Sequence, residues 1–249
     1  MHKNVRHCLN CNNVLNDNFC SKCGQSARTS RVNAKHLVEE LQYGLLHINK
    51  GLLYTTKELL LRPGMTIKNY LAGKRVKYTK PFLFLIVWGV IYSLIFHFFH
   101  FFPLEEMNKH DGNIVLEYIP VYNWYFEHYS LVLLVLIPFY AFVTYLLFHK
   151  QRYNYIEHLV LFSYISGARI LILLIFYPII YFTKSILIYK LVFVLSEIYV
   201  IWGLVQFFKT SSWLTAISKV ILGLFLALIL MLVIIAAAFI ILSHFDLKL

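Results

Sequence analysis

The residues best suited to chemistry are the four cysteines of the chain, which form two C-x-x-C pairs near the N-terminus. Cys8 and Cys11 make the first pair, and Cys20 and Cys23 make the second, with eight residues between the pairs. Two such pairs facing each other give the tetrahedral sulfur site that structural zinc prefers. Two disulfides, free thiols and iron are the alternatives. We expect Zn²⁺ in a closed site that has no open position for catalysis.

The residues around the cysteines favour two matching turns. Gly24 follows the second pair and supplies a permissive backbone, and Asn12 holds the equivalent place after the first pair. Asparagine is the next most tolerant residue of left-handed geometry. Phe19 is expected to cover the metal. A segment this short has almost no core, so the metal would supply its folding energy.

Two opposite charges lie within the apolar part of the chain. Arg169 is eleven residues past His158, and Glu197 is twelve past Ser185, which places both about 17 Å deep at 1.5 Å per residue. An unpaired arginine is costly in lipid, and an unpaired glutamate would protonate. We therefore predict that Arg169 and Glu197 pair or share a polar cavity. A structural ion pair and a path for substrate or protons are both open interpretations.

Other polar residues offer less complete sites. Glu157 with His158, and His97 with His100, could bind a metal or titrate, although such side chains more often lie at the membrane interface. The sequence contains no G-x-S-x-G, H-E-x-x-H or P-loop motif. We expect no enzymatic activity.

Composition assigns the chain to the membrane proteins. Of its 249 residues 59% are hydrophobic and only 14% are charged, and the 17% of aromatic residues suits interfacial belts. Five apolar segments have about the 20 residues that a spanning helix needs. We predict an all-α polytopic membrane protein whose spans are Phe82–Phe102, Ser130–Phe148, His158–Phe182, Ser185–Phe208 and Trp213–Ser243.

The net charge of +11 is unevenly distributed and predicts orientation. Residues 1–81 contain 14 of the 23 lysines and arginines but four of the 12 acids, whereas the connection 103–129 is acidic. Basic residues favour the cytoplasmic side, so we expect the N-terminus inside and the C-terminus outside. An anionic inner leaflet, at about 1 kcal/mol per basic residue, suits this charge better than nucleic acid. The collar expected to bind lipid headgroups is Lys68, Lys74, Arg75, Lys77 and Lys80.

Between the cysteines and the first span, the pattern turns helical. Apolar residues recur at three- and four-residue steps from residue 34 to about 61, after a polar linker at 26–33. This helix either packs on the bundle or lies in the membrane interface. We therefore predict a zinc ribbon at 1–28, an amphipathic juxtamembrane region at 29–81 and a five-span membrane domain at 82–249.

Short motifs in the first third carry a family resemblance. C-x-x-C and F-C-x-x-C-G-Q are followed by the amphipathic helix, then R-P-G, Y-L-A-G-K-R and Y-x-x-P before the first span. In this order they resemble a family of Bacteroidota membrane proteins known as domain of unknown function 3667. The resemblance implies a bacterial inner-membrane protein with a cytosolic zinc ribbon, and it implies no particular activity. The matching residues are Cys8, Cys11, Cys20, Cys23, Gly24, Gln25, Pro63, Gly64, Tyr70, Leu71, Gly73, Lys74, Arg75, Tyr78 and Pro81.

Three functions remain for such a chain. The first is a non-enzymatic inner-membrane protein whose zinc ribbon docks an unknown partner protein or assembles a complex. The second is a small transporter or channel that uses Arg169 and Glu197. The third, a membrane-embedded enzyme, would need Glu157, His158 and another polar group in one cleft. A homo-oligomer is left open by the sequence.

Overall fold

The computed structural model describes residues 6–34, 51–99, 119–208 and 212–246. The first range is a small module, called the ribbon below. It contains two short antiparallel strands, β1 (Arg6–His7) and β2 (Val14–Leu15), with Arg6 opposite Leu15. A single further bridge joins Phe19 to Ser26.

The rest of the described chain is mainly α-helical, with short connections between the helices. The helices are α1 (Gly51–Leu61), α2 (Pro63–Leu71), α3 (Pro81–Phe99), α4 (Ile119–Glu127), α5 (Tyr129–Leu147), α6 (Tyr155–Thr183), α7 (Ile186–Phe207) and α8 (Trp213–Asp246). Among the residues that the structure describes, α3, α5, α6, α7 and α8 are long and apolar enough to span a membrane. The predicted all-α polytopic membrane protein with five spans is therefore confirmed.

The spans begin and end within a few residues of their predicted limits, and the start of α6 differs for a clear reason. The Asn154 side chain accepts a hydrogen bond from the backbone N–H of Glu157 at 2.9 Å, and the Glu157 carboxylate accepts one from the Asn154 N–H at 2.8 Å. This reciprocal capping box starts the helix three residues before the predicted His158. The predicted end of the first span and most of the acidic connection, residues 100–118, lie outside the described residues.

Helix α6 forms the centre of the bundle. It is buried along most of its length and packs against α3, α5 and α7. A Cβ on Gly167 would lie 2.6 Å from Cδ1 of Phe84 and 3.3 Å from Cα of Leu85, so α3 and α6 approach too closely for a side chain. Small residues at helix contacts allow such a close approach in membrane proteins.

Helices α1 and α2 pack on the end of the bundle that faces the ribbon, called the ribbon end. The Tyr199 hydroxyl on α7 donates to the Leu59 carbonyl at 2.9 Å. The Gln206 side-chain oxygen accepts from the backbone N–H of Gly64 at 2.7 Å and of Met65 at 3.3 Å, which satisfies the first turn of α2. Of the predicted helix 34–61, residues 51–61 thus pack on the bundle, whereas 35–50 lie outside the described residues.

Candidate metal centre and its contacts with the membrane domain

The two cysteine pairs lie on equivalent backbone turns. Cys8 donates its N–H to the Asn13 carbonyl and its carbonyl accepts from the Asn12 N–H, both at 2.8 Å. Cys20 makes the same two bonds, also at 2.8 Å, with the residues five and four positions after it. The residue in the left-handed region is Asn12 in the first turn, with φ of 60°, and Gly24 in the second, with φ of 76°. The predicted backbone conformation at both positions is the one observed.

These turns bring the four sulfurs together. The Sγ atoms of Cys8 and Cys23 are 3.6 Å apart, those of Cys11 and Cys20 are 3.5 Å apart, and all four lie within 4.8 Å of one another. A tetrahedron of sulfurs 2.3 Å from a metal has edges of about 3.8 Å. The donor set and its spacing therefore fit one metal ion held by four cysteines.

The thiol electrostatics favour a cation at this centre. Burial alone would raise the pKa of Cys20, but backbone hydrogen bonds from Cys23 and Lys22 and the neighbouring thiols outweigh it and lower the pKa to about 6. A backbone hydrogen bond from Asn13 favours the Cys11 thiolate, yet burial and the other three sulfurs raise the Cys11 pKa to about 12. A cation bound among the sulfurs would favour the thiolate form of Cys11, which its surroundings otherwise disfavour.

Phe19, which was expected to cover the metal, has a mostly exposed side chain beside the well-buried Cys8 and Cys20. Its side chain is 64% exposed, whereas Cys8 and Cys20 are both 3% exposed. The phenylalanine is therefore an apolar group on the open surface of the ribbon.

The ribbon is fastened to the loop that follows α2. Gln25, only 5% exposed, donates from Nε2 to the Gly73 carbonyl at 2.7 Å and accepts from the Arg75 N–H at 3.2 Å. Gly73 has a φ of +97°, and a Cβ there would lie 2.7 Å from Cδ1 of Leu9. Residues 73–75, called the seat below, thus bind one face of the ribbon.

The segment predicted as a polar linker, 26–33, is also bound. Arg31 forms a two-point ion pair with Glu157, at 2.8 Å from Nε and 2.6 Å from Nη2, and this hydrogen bonding raises the Arg31 pKa. Arg31 also donates to the Arg152 carbonyl at 2.5 Å. Val32 is 2% exposed, and its carbonyl accepts from the Asn154 side chain at 3.2 Å. The linker thereby joins the ribbon to the start of α6.

The five residues of the predicted headgroup collar have different surroundings. Lys68 donates to the Gln206 carbonyl at 3.0 Å, and Arg75 donates to the Ser30 carbonyl at 2.7 Å. Lys74 and Lys77 are exposed, and Lys80 is half-buried. Lys74 and Lys77 are thus the two collar residues whose charge is most open to the surroundings.

The structure joins Arg169 and Glu197 in an ion pair inside the bundle. Arg169 lies on α6 and Glu197 on α7, and the Arg169 guanidinium carbon is 5.6 Å from the centre of the Tyr129 ring and 5.4 Å from that of Phe193. Both charged residues line a cavity of about 700 Å³. The sequence predicted that Arg169 and Glu197 either pair or share a polar cavity, and in the structure they do both.

Glu157 and His158 serve separate contacts. Glu157 caps α6 and binds Arg31, whereas His158 is 1% exposed and its Nδ1 lies 2.9 Å from the Thr144 hydroxyl. The two neighbouring side chains thus have different partners. His97 lies in the last turn of α3, and His100 lies outside the described residues.

Several of these residues have no sequence signal for their contacts. Gln25 belongs to the motif after the second cysteine pair, but nothing in that motif identifies the seat as its partner. In the sequence, Arg31 is one of the basic residues in a polar stretch, and nothing there indicates its partner. Gln206 lies at the end of a span, where a polar residue is ordinary.

The fold and the cysteine cluster together define a helical membrane protein with five candidate spans and, near its N-terminus, four cysteines spaced to hold a metal ion. A family model described as "Protein of unknown function (DUF3667)" matches residues 49–93, which run from α1 through α2 and the seat into α3. Over this stretch the chain is similar to that family, and the cysteine pairs lie outside the matched residues. No curated protein and no solved structure matches the chain.

Proposed function

We propose that this protein is a non-enzymatic protein of the bacterial inner membrane whose cytosolic zinc ribbon docks a partner protein. In this proposal the five spans anchor the chain, and the ribbon presents a fixed surface at the membrane. The main support for this proposal is how the ribbon is attached. One face is bound by the seat and by Glu157, whereas another face is open to the surroundings.

Zinc is the metal proposed for the sulfur cluster. Four thiolates in a tetrahedral arrangement select soft or borderline metals, and zinc is the common occupant of such sites in proteins. With all four ligands bound, no position is left for a substrate. The metal would therefore stabilise the ribbon rather than catalyse a reaction.

The proposed orientation places the ribbon in the cytosol. Lys74 and Lys77 are exposed on the loop between α2 and α3, next to the first span. Basic residues beside a span favour the cytoplasmic side and attract anionic headgroups. A reducing cytosol would also keep the cysteines available for metal.

The proposed docking surface is an open groove of about 1270 Å³ on the ribbon. Phe19 and Val14, which are 64% and 43% exposed, supply its apolar part, and Arg6 and Arg28 supply positive charge against the single carboxylate of Asp17. The contacts described above between the ribbon and the membrane domain use other residues. The groove suits a partner segment with an apolar side chain flanked by acids, since opposite charges favour encounter and register.

Photo-crosslinking in living cells tests this function. A photoreactive residue at position 19 should yield one dominant protein adduct, whereas the same residue at Leu53, a 76% exposed position on α1, should not. Arg6→Glu with Arg28→Glu should abolish the adduct while one zinc per chain is retained, and Cys20→Ser should abolish both. An adduct that survives charge reversal, or that forms equally from position 53, would overturn the proposal.

Transport is the second candidate, and the intramembrane cavity is the observation that favours it. A transporter needs a binding site within the bundle, and both Arg169 and Glu197 line such a space. Transport would be unaffected by the docking variants, whereas the docking function would be unaffected by changes in the cavity.

A further inference from the structure

The cavity lies among α5, α6, α7 and α8, within the part of the bundle that spans the membrane. Its volume of about 700 Å³ is in the range of pockets that bind small molecules. Aliphatic side chains from α5 and α8 form much of its wall, including Leu131, Val135, Leu136, Leu224, Leu228 and Met231. Such a wall suits an alkyl chain.

Aromatic residues line the end of this cavity near α4. Trp124 and Tyr125 belong to α4, and His128 stacks on Trp124 with 4.9 Å between ring centres. Tyr140 and Phe193 add rings further along the wall. Aromatic faces attract cations, and the attraction grows where water is excluded.

The charged wall of the cavity is asymmetric. The Arg169 side chain is 11% exposed and lies within cation–π distance of Tyr129 and Phe193, whereas the Glu197 side chain is 38% exposed. Glu197 pairs with Arg169 through Oε1, and the Arg169 Nε is buried without a hydrogen-bond partner among the described residues. The cavity therefore presents a carboxylate, held in place by an arginine that is itself covered.

We propose that this cavity binds an amphipathic molecule that carries a protonated amine on an apolar chain. The ammonium group would donate to the exposed Glu197 carboxylate beside the aromatic rings, and the chain would lie along the aliphatic wall. An amphipathic anion would be repelled by the exposed Glu197 carboxylate. To bind Arg169 it would have to break the ion pair between Arg169 and Glu197. In a low-dielectric site that separation is costly, because it leaves a buried charge unpaired.

The amine could come from a soluble alkylamine or from a lipid headgroup, and one assay separates the two. The full chain in dodecyl maltoside micelles, which carry no ammonium group, is titrated with radiolabelled dodecylamine, and dodecanol and dodecanoate serve as probes of equal chain length. The same titration in nanodiscs with and without phosphatidylethanolamine reports competition by a lipid amine. If dodecylamine binds saturably, competition by phosphatidylethanolamine identifies a lipid as the source of the amine. Saturable binding without such competition identifies a soluble amine.

We expect one dodecylamine per chain, with dodecanol and dodecanoate bound at least tenfold more weakly. Glu197→Gln should lower amine affinity tenfold or more and leave dodecanol unchanged. Because this change leaves the buried Arg169 charge without its ion-pair partner, the double variant Arg169→Gln with Glu197→Gln is the second test. It removes both charges together, which proteins tolerate better than the loss of one partner, and it should abolish the preference for amine over alcohol.

Two results would overturn the inference. One is binding of dodecanoate as tight as that of dodecylamine in the wild type. The other is a double variant that folds, as judged by its melting temperature, and still prefers the amine. Neither result depends on the ribbon or on the docking function.

Discussion

Gln25→Ala should release the ribbon from the membrane domain while leaving the metal centre intact. The Gln25 side chain joins the ribbon to the seat through hydrogen bonds to the backbone of both Gly73 and Arg75. Its loss leaves a buried carbonyl and a half-buried N–H without their partners. None of the backbone hydrogen bonds that hold the two cysteine turns uses the Gln25 side chain.

The size of the effect follows from these two bonds. An unpaired buried polar group such as the Gly73 carbonyl costs about 1–3 kcal/mol, and the half-buried Arg75 N–H adds about 1 kcal/mol, so the two losses together amount to about 2–4 kcal/mol. At 1.4 kcal/mol per factor of ten, the undocked population should rise roughly 30- to 700-fold. The Arg31–Glu157 pair remains and keeps the ribbon near the bundle.

Hydrogen exchange measured by mass spectrometry reports the loss of these two hydrogen bonds directly, because the Arg75 N–H is one of the two donors. Peptides that contain residues 73–75 should exchange faster in Gln25→Ala, and zinc content should stay at one per chain. Asn13→Ala is the matched control, since Asn13 holds the equivalent position of the first turn and its side chain bonds within the ribbon, to Val14 and Ser21. Unchanged exchange at the seat, or an equal increase in the control, would refute the reasoning.

Two further predictions test how the ribbon end is assembled. Gly64→Ala would place a Cβ 2.5 Å from the Phe207 backbone nitrogen, so α2 and α7 must separate, and overpacking of about 1–3 kcal/mol should lower the melting temperature in detergent. Gly223→Ala should not lower it, because its Cβ would lie 3.1 Å from a flexible Leu147 methyl and at an ordinary contact distance of 3.6 Å from the Thr144 methyl. Glu157→Gln weakens both the Arg31 ion pair and the α6 capping box, so exchange should increase at residues 31–32 and 154–158 together; an increase at only one of the two segments would contradict the shared role of this carboxylate.

The spans could be predicted from the sequence because each depends on local composition. A run of about 20 apolar residues can satisfy its backbone in lipid only as a helix, whatever its neighbours are. The predicted start of α6 at His158 is three residues late, because hydropathy alone does not reveal a capping box. Asn154 and Glu157, at the N-cap and the third helical position, carry that local pattern in the sequence.

The sulfur cluster could be predicted for the same reason, since each C-x-x-C turn is local. What holds the cluster to the bundle could not be predicted, because the contacts join distant residues. Gln25 meets Gly73 across 48 positions, and Arg31 meets Glu157 across 126. The composition of residues 26–33 is that of an exposed linker. In sequence, a polar stretch whose side chains bind backbone carbonyls and a carboxylate cannot be distinguished from one whose side chains bind water.

Helix α2 touches both the ribbon end and the helices that carry the intramembrane pair. Arg75 of the seat lies over the Tyr70 ring at 5.3 Å, and Tyr70 packs edge-on against Tyr164 of α6 at 5.4 Å, one and a half turns before Arg169. Gln206 of α7 caps the first turn of α2, about two and a half turns after Glu197. This contiguity is a physical route between metal centre and cavity, but coupling along it would require α2 to have two arrangements that each site favours differently. The proposed docking surface and the proposed amine site are lined by different residues, so a variant that abolishes binding at one is expected to leave the other intact.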